Sequence, residues 1–225
     1  MLTVHHLGRG QSERVVWLCE ELGLDYQLIR YDRDPKTILA PPELKALHPS
    51  GAAPLITDDG PILAESGAIV DYILAKYSAG RLAVPVNNPG FAEYLHWLHF
   101  ANGTLQPALG RAMLARRAQL PPDHPVSVWA EGRRERALTY VEQRLAGTRY
   151  LAGEAFTAAD IMTVFSLTTM RLFVPFDLAP YPAIRAYLQR MGAREAYRRA
   201  MEKGDPGFTP TLRRLQPYLM SGFRI

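Results

Sequence analysis

The sequence predicts an α/β unit over residues 1–80, a linker at 81–90 and an all-α helical unit over 91–225. Three observations carry this. In the first 80 residues, short β-type runs alternate with helical periods in the order β-α-β-α-β-β-α. Gly, Pro and Asn then cluster up to Pro89-Gly90. Beyond them no strand pattern returns. The 225 residues, 48% hydrophobic, suffice for substantial cores.

Residues 2–6 form the first strand, which Gly8 and Gly10 break. From Gln11 a helix begins, with Val15, Leu18, Cys19 and Leu22 spaced as one apolar face and Gly23 closing it. Tyr26 to Tyr31 alternates as the second strand, and residues 32–40 are a polar loop. Pro42 to Leu47 is a short helix with proline near its start. Strands near 54–57 and 61–63 flank the turn Asp58-Asp59-Gly60. The helix from 65 to about 77 turns Ile69, Val70, Ile73, Leu74 and Tyr77 inward. The first connection is βαβ, so its strands are expected parallel with a right-handed crossover. The unit resembles the thioredoxin fold without its Cys-x-x-Cys pair.

In the second half, residues 90–117 read as one long helix bent near Gly103 and Pro107. Helices follow at 126–146, from Thr157 to about Phe173, after Pro182 and near 193–203, with a short turn around 210–220. Thr157-Ala158-Ala159-Asp160 has the form of a capping box, and no charge follows until Arg171. A helix without a charged face is expected at the centre of its unit. Asp160 is expected to be structural, and its loss as a cap to cost on the order of 1 kcal/mol.

The net charge is +4, with arginine pairs at 116–117, 133–134, 198–199 and 213–214. Scattered pairs without interleaved aromatics read as solvated helix faces, so no nucleic-acid partner is expected. No apolar run approaches a membrane span and the first residues lack signal-peptide character, which favours a cytoplasmic protein without membrane contact. The single cysteine, Cys19, sits on an apolar helix face and reads as core. It leaves no internal disulfide and no Cys-pair metal site, and no metal is expected.

The chemistry concentrates at Pro49-Ser50-Gly51-Ala52-Ala53-Pro54-Leu55-Ile56 and Leu63-Ala64-Glu65-Ser66-Gly67-Ala68-Ile69. A proline entering a strand leaves the preceding residue's polar groups free. A helix start at Ser66 offers N–H groups to an anion. Together they form a dock for an extended peptide with a carboxylate.

With these stretches in order, the chain resembles the cytosolic glutathione transferases. The matching runs are strand-one His5-His6, Gln11 to Leu24, Ala52-Ala53-Pro54-Leu55-Ile56, Leu63 to Ile69, Phe156 to Ile161 and Tyr181 to Met191. The bacterial and fungal branch, with a first strand reading His-His-Leu, fits best. The resemblance implies a thioredoxin-like domain that holds glutathione as co-substrate. It also implies a helical domain that shapes a site for a hydrophobic electrophile, and a homodimer serving detoxification. Pro54 would be cis, Ala53 would pair with the cysteinyl backbone, and Glu65 and Ser66 would hold the γ-glutamyl ammonium and carboxylate.

The enzymatic task is to hold the thiol as thiolate. Where the branch carries Ser-Arg-Ser-Gln-Arg, this chain reads Gly10-Gln11-Ser12-Glu13-Arg14. Ser12 is the selected catalytic hydroxyl, with the main chain at Gly10 and the His6 ring as alternatives. A branch lysine is replaced by Ala52, and Lys36 is selected over Lys45 to meet the glycyl carboxylate. Phe91, Tyr94, Trp97, His99, Phe100 and Asn102 form a stripe most of which reads as core, and some of it, with Phe173 to Phe176, is a candidate lining for an electrophile cleft between domains. Glutathione-dependent disulfide reduction and non-catalytic ligand binding are the alternative functions.

Overall fold

The computed structural model describes residues 1–210 and Leu212. The expected turn around 210–220 and the pair Arg213-Arg214 lie outside the described residues. Among those described, the chain forms two compact units: one of residues 1–83 with 192–210, the other of residues 84–191.

The first unit has a four-stranded sheet in the order β2-β1-β3-β4. Strand β1 (Thr3–Leu7) runs parallel to β2 (Gln27–Tyr31), with Thr3 opposite Gln27 and Leu7 opposite Tyr31. Strand β3 (Leu55–Thr57) runs antiparallel to β1 and pairs in a hairpin with β4 (Leu63–Ala64). Helix α1 (Glu13–Leu22) follows β1 and ends at Gly23, whose φ of 66° is the left-handed cap that glycine adopts freely. Helix α2 (Pro42–Lys45) precedes β3, and α3 (Ser66–Tyr77) follows β4. Val4, Val15, Leu18, Cys19, Leu55, Ile69 and Ile73 are fully buried between sheet and helices.

One apolar face does not account for α1. Glu13, Arg14, Trp17 and Glu20 are buried as well. Trp17 and Glu20 are covered by α9 (Glu195–Gly204), which packs along α1 within the same unit. Glu20 receives Arg199 at 3.0 Å and Lys203 at 2.5 Å, and Glu21 receives both forks of Arg194 at 2.6 and 2.7 Å. Trp17 meets the Tyr197 ring edge-on at 4.7 Å. Arg199 is therefore a half-exposed charge that is held in an ion pair with Glu20.

The second unit is helical. Helix α4 (Phe91–Phe100) passes through a π-turn at Ala101–Leu105 into α5 (Gln106–Arg117). Pro107 has no N–H to return to the carbonyl four residues back, and the Gln106 N–H reaches to Ala101. The expected bend is thus a widened turn. Helix α6 (Pro125–Gly147) lies against α5. Arg116 and Arg134 both pair with Glu131, at 2.9 and 2.6 Å.

Helix α7 (Ala158–Leu167) is buried along its whole length and starts at the complete Thr157/Asp160 capping box. It stops earlier than expected. Thr163 and Thr168 turn their hydroxyls back onto Ala159 and Val164, and a 3-10 turn at Thr169–Leu172 follows. The Asp160 carboxylate accepts from the N–H groups of Leu151 and Thr157 and from the Tyr187 hydroxyl of α8 (Pro182–Gly192). Burial pushes this carboxyl up to about 6 against those donors.

Candidate functional site

Strand pairing gathers the candidate residues at one end of the sheet. His5 lies opposite Leu55, so the C-terminal end of β1 meets the start of β3. Leu55 lies opposite Ala64, so Ala53-Pro54 and Glu65 flank the same end of the hairpin. Three segments converge there: the β1–α1 loop, the turn before β3 and the start of α3.

The Ala53–Pro54 peptide bond is cis. Ala53 is buried, and its carbonyl accepts from the Gln11 side-chain amide at 3.3 Å. This bond joins the β1–α1 loop to the turn before β3.

Glu65 immediately precedes α3 with φ 71° and ψ 114°, a conformation that costs a side-chain-bearing residue roughly 1–3 kcal/mol. It is exposed, and its carboxylate has no hydrogen-bond or ion-pair partner among the described residues. Ser66 opens α3 and is buried. The first internal bond of this helix runs from the Ile69 N–H to the Glu65 carbonyl. No acidic side chain stands in the first turn, so the N–H groups of the opening turn face no carboxylate of their own helix. Strain without a structural partner, beside a helix start that carries no acidic side chain, is suited to grasping a zwitterionic group.

Ser12 does not present a hydroxyl at this surface. Its side chain is 0% exposed, accepts the Leu7 N–H at 3.0 Å and lies 2.9 Å from His6 Nδ1. His6 is equally enclosed. Gly10 is not a serine that has lost its hydroxyl: an added Cβ would sit 2.7 Å from the Leu7 carbonyl oxygen, so the loop closes only with glycine there. The N–H groups of Gly10 and Ser12 find no acceptor among the described residues.

Lys36 is exposed within a turn built on Asp34, which accepts its N–H at 2.9 Å. Lys45 instead runs beside Gly51, where an added Cβ would lie 3.6 Å from Lys45 Cγ. Cys19 is fully buried, and burial with the neighbouring Glu20 raises its thiol to about 12. It is no nucleophile.

Two further residues shape the loop without leaving a sequence signal. Arg33 donates to the carbonyls of Gly8, Arg9 and Ile38 at 2.9–3.1 Å, and burial lowers its guanidinium to about 10. Gln11 is the other. A polar side chain in a loop reads from sequence as solvated, and only the fold reveals the carbonyls it meets.

In the helical unit, Tyr94, Trp97 and Phe100 are buried, with Trp97 stacked on Tyr140 at 4.9 Å. They are core. A cleft in this unit is lined by Met113, Arg116, Arg117, Leu172, Phe173, Val174 and Pro175.

Family profiles of the glutathione S-transferase N-terminal domain and C-terminal domain match residues 10–76 and 107–195. Glutathione S-transferase 3 of Schizosaccharomyces pombe is 30% identical over 216 residues, covering 90% of this chain and 88% of that one. The chain belongs to the glutathione S-transferase family. A solved glutathione S-transferase from Actinobacillus pleuropneumoniae superposes with a TM-score of 0.84 at 32% identity, covering 95% of this chain and 99% of that one. The disulfide-bond oxidoreductase YfcG of Escherichia coli is 28% identical, covering 92% of this chain and 97% of that one. The family architecture of a thioredoxin-like unit and a helical unit is the one described above. Among the described residues no helix is long and apolar enough to cross a membrane.

Proposed function

We propose that this transferase binds glutathione at the converging end of the sheet and conjugates its thiolate to a hydrophobic electrophile. The carrying observation is Glu65, held at positive φ, exposed and without a partner, beside the acid-free start of α3. Its carboxylate would take the γ-glutamyl ammonium, and Ser66 with the helix N-terminus the γ-glutamyl carboxylate. The main chain of Ala53 would pair with the cysteinyl unit. Lys36 would meet the glycyl carboxylate, with Lys45, which runs beside Gly51, as the alternative.

The sulfur would then lie over the β1–α1 loop. Neutral main-chain donors there, the N–H groups of Gly10 and Ser12, favour thiolate over thiol. The hydroxyl of Ser12 supports this loop from inside. The thiolate attacks an electrophilic carbon and the leaving group departs with the bonding pair. The apolar cleft of the helical unit, with Arg116 and Arg117 on its wall, is a candidate surface for a hydrophobic ligand.

We place the protein in the bacterial and fungal branch and in the cytoplasm, as a homodimer. Leu114, Val126, Val128 and Trp129 on α5 and α6 offer apolar area for a second copy. The likeness to YfcG favours one second reading, glutathione-dependent disulfide reduction. Calorimetric titration with glutathione, followed by assays with an aryl halide and a small disulfide, separates the readings. Absence of binding at millimolar glutathione overturns both, and binding with neither activity leaves a ligand-binding role. Sedimentation at several concentrations tests the dimer.

A further inference from the structure

Asp205 follows α9 as its C-cap and is 3% exposed. Its two carboxylate oxygens accept the Arg9 N–H at 3.0 and 2.9 Å. One lies 3.4 Å from His6 Nε2, and Arg30 approaches the other at 3.7 Å. The far side of the His6 ring meets Ser12 Oγ, which in turn accepts the Leu7 N–H. Asp205, His6 and Ser12 thus stand in line toward the backbone of the β1–α1 loop, the Asp205–His6 step being a close approach without a hydrogen bond.

The order Asp–His–Ser resembles a nucleophile with its base and orienting acid, but the geometry denies that role. Ser12 and His6 are wholly enclosed, and no substrate atom can reach the hydroxyl. The packing instead serves close approach. Gly204 brings α9 so near that an added Cβ would stand 3.1 Å from His6 Nε2. Arg9, the residue that Asp205 holds, has a φ of 53°, unfavourable for a side-chain-bearing residue. The bidentate grip on its N–H keeps it there. Burial pushes the Asp205 carboxyl up, yet His6, the Arg9 N–H and Arg30 together hold it below its ordinary range.

We infer that Asp205 is a positioning residue for thiol activation: through Arg9 and His6 it sets the loop whose N–H groups face the glutathione sulfur. The inference rests on the thiolate site proposed above. No sulfur contact is assigned to Asp205 itself. Its effect passes through the placement of residues 9–12, so it should reach the chemistry of the thiol more than the grip on the rest of the tripeptide.

The test compares the intact protein with Asp205→Ala, Asp205→Asn and Asp205→Glu. The pKa of bound glutathione is read from thiolate absorbance, its Kd by calorimetry, and hydrogen exchange is followed at the Arg9 amide. Asp205→Ala is expected to raise the bound-thiol pKa by about one unit and lower kcat/KM near neutrality about tenfold. Glutathione Kd should change less than about threefold, and the Arg9 amide should lose protection. Asp205→Asn keeps one acceptor for Arg9 and is expected to fall between, serving also if the alanine variant does not fold. Asp205→Glu should restore part of the shift. A lowered melting temperature with an unchanged bound-thiol pKa in the folded variants overturns the inference and makes Asp205 a helix anchor only. A wild-type protein that binds glutathione without lowering its thiol pKa overturns the thiolate site itself.

Discussion

The Gln11 side-chain amide donates to the Ala53 carbonyl at 3.3 Å and so bridges the loop after β1 to the cis-proline turn before β3. A carbonyl oxygen has two lone pairs, so this bond leaves room for a peptide N–H on the same atom. Gln11 therefore sets the spacing of the two loops without blocking a ligand. Gln11→Ala is expected to weaken glutathione binding about fivefold, the worth of one hydrogen bond of about 1 kcal/mol. Calorimetry checks this, and tighter binding by the variant would show that Gln11 competes with the ligand.

In the proposed site, Glu65 couples strain to recognition. Glu65→Ala should weaken glutathione binding about tenfold by removing the partner of the ammonium group. Glu65→Gly should lose binding alike yet gain about 0.5–1 kcal/mol of stability, since glycine accepts positive φ and its entropic cost is smaller than the strain relieved. Thermal melts alongside titrations decide this, and a glycine variant less stable than the parent would remove the strain argument.

Ser12→Ala leaves the Leu7 N–H and His6 Nδ1 without their buried partner. The expected cost is about 2 kcal/mol of stability, read from urea midpoints. A hydroxyl serving only the sulfur would leave the midpoint where it is.

Asp160 is worth more than a cap. Its carboxylate satisfies two backbone N–H groups and a buried tyrosine hydroxyl, so Asp160→Ala should cost about 3 kcal/mol, not the 1 kcal/mol of an N-cap alone. Stability equal to that of a surface-cap variant would contradict this.

At the β3–β4 turn, Asp58 accepts from Lys76 at 2.6 Å, Tyr77 at 2.5 Å and Tyr72 at 2.8 Å. These donors, Lys76 first, hold its carboxyl down to about 2 from an ordinary 3.8. The folded value lies below the unfolded one. The stabilisation is therefore present above about pH 4 and lost as pH falls toward about 2. Melting temperatures across that window should fall less steeply for Asp58→Asn than for the parent, and parallel curves would refute the linkage.

Features written locally were legible in the sequence. Gly23 ends α1, Thr157 and Asp160 sit three residues apart at the head of α7, and the uncharged run after them is buried as expected. Ala53-Pro54 and Glu65-Ser66 flank a hairpin that the turn Asp58-Asp59-Gly60 already implies. What escaped is long-range and polar. Apolar periodicity repeats every few residues, but one carboxylate meeting one N–H leaves no period. Arg199 keeps one side in solvent, but its pairing with Glu20 is hidden because nothing nearby in the chain names that partner. Ser12 looks like a donor because its inward rotation depends on His6, buried by a helix that the opening residues do not encode.

The separation of Arg9 and Asp205, 196 residues apart, bears on how the protein is made. The sheet and its first helices leave the ribosome early, with every residue that would touch glutathione already present. The grip on the Arg9 N–H can close only after α9 and Asp205 have followed, 196 residues later. A nascent chain stalled before that point would hold the ligand-binding residues without the clasp that sets their loop. Completion of the proposed thiol site is thereby tied to the synthesis of α9.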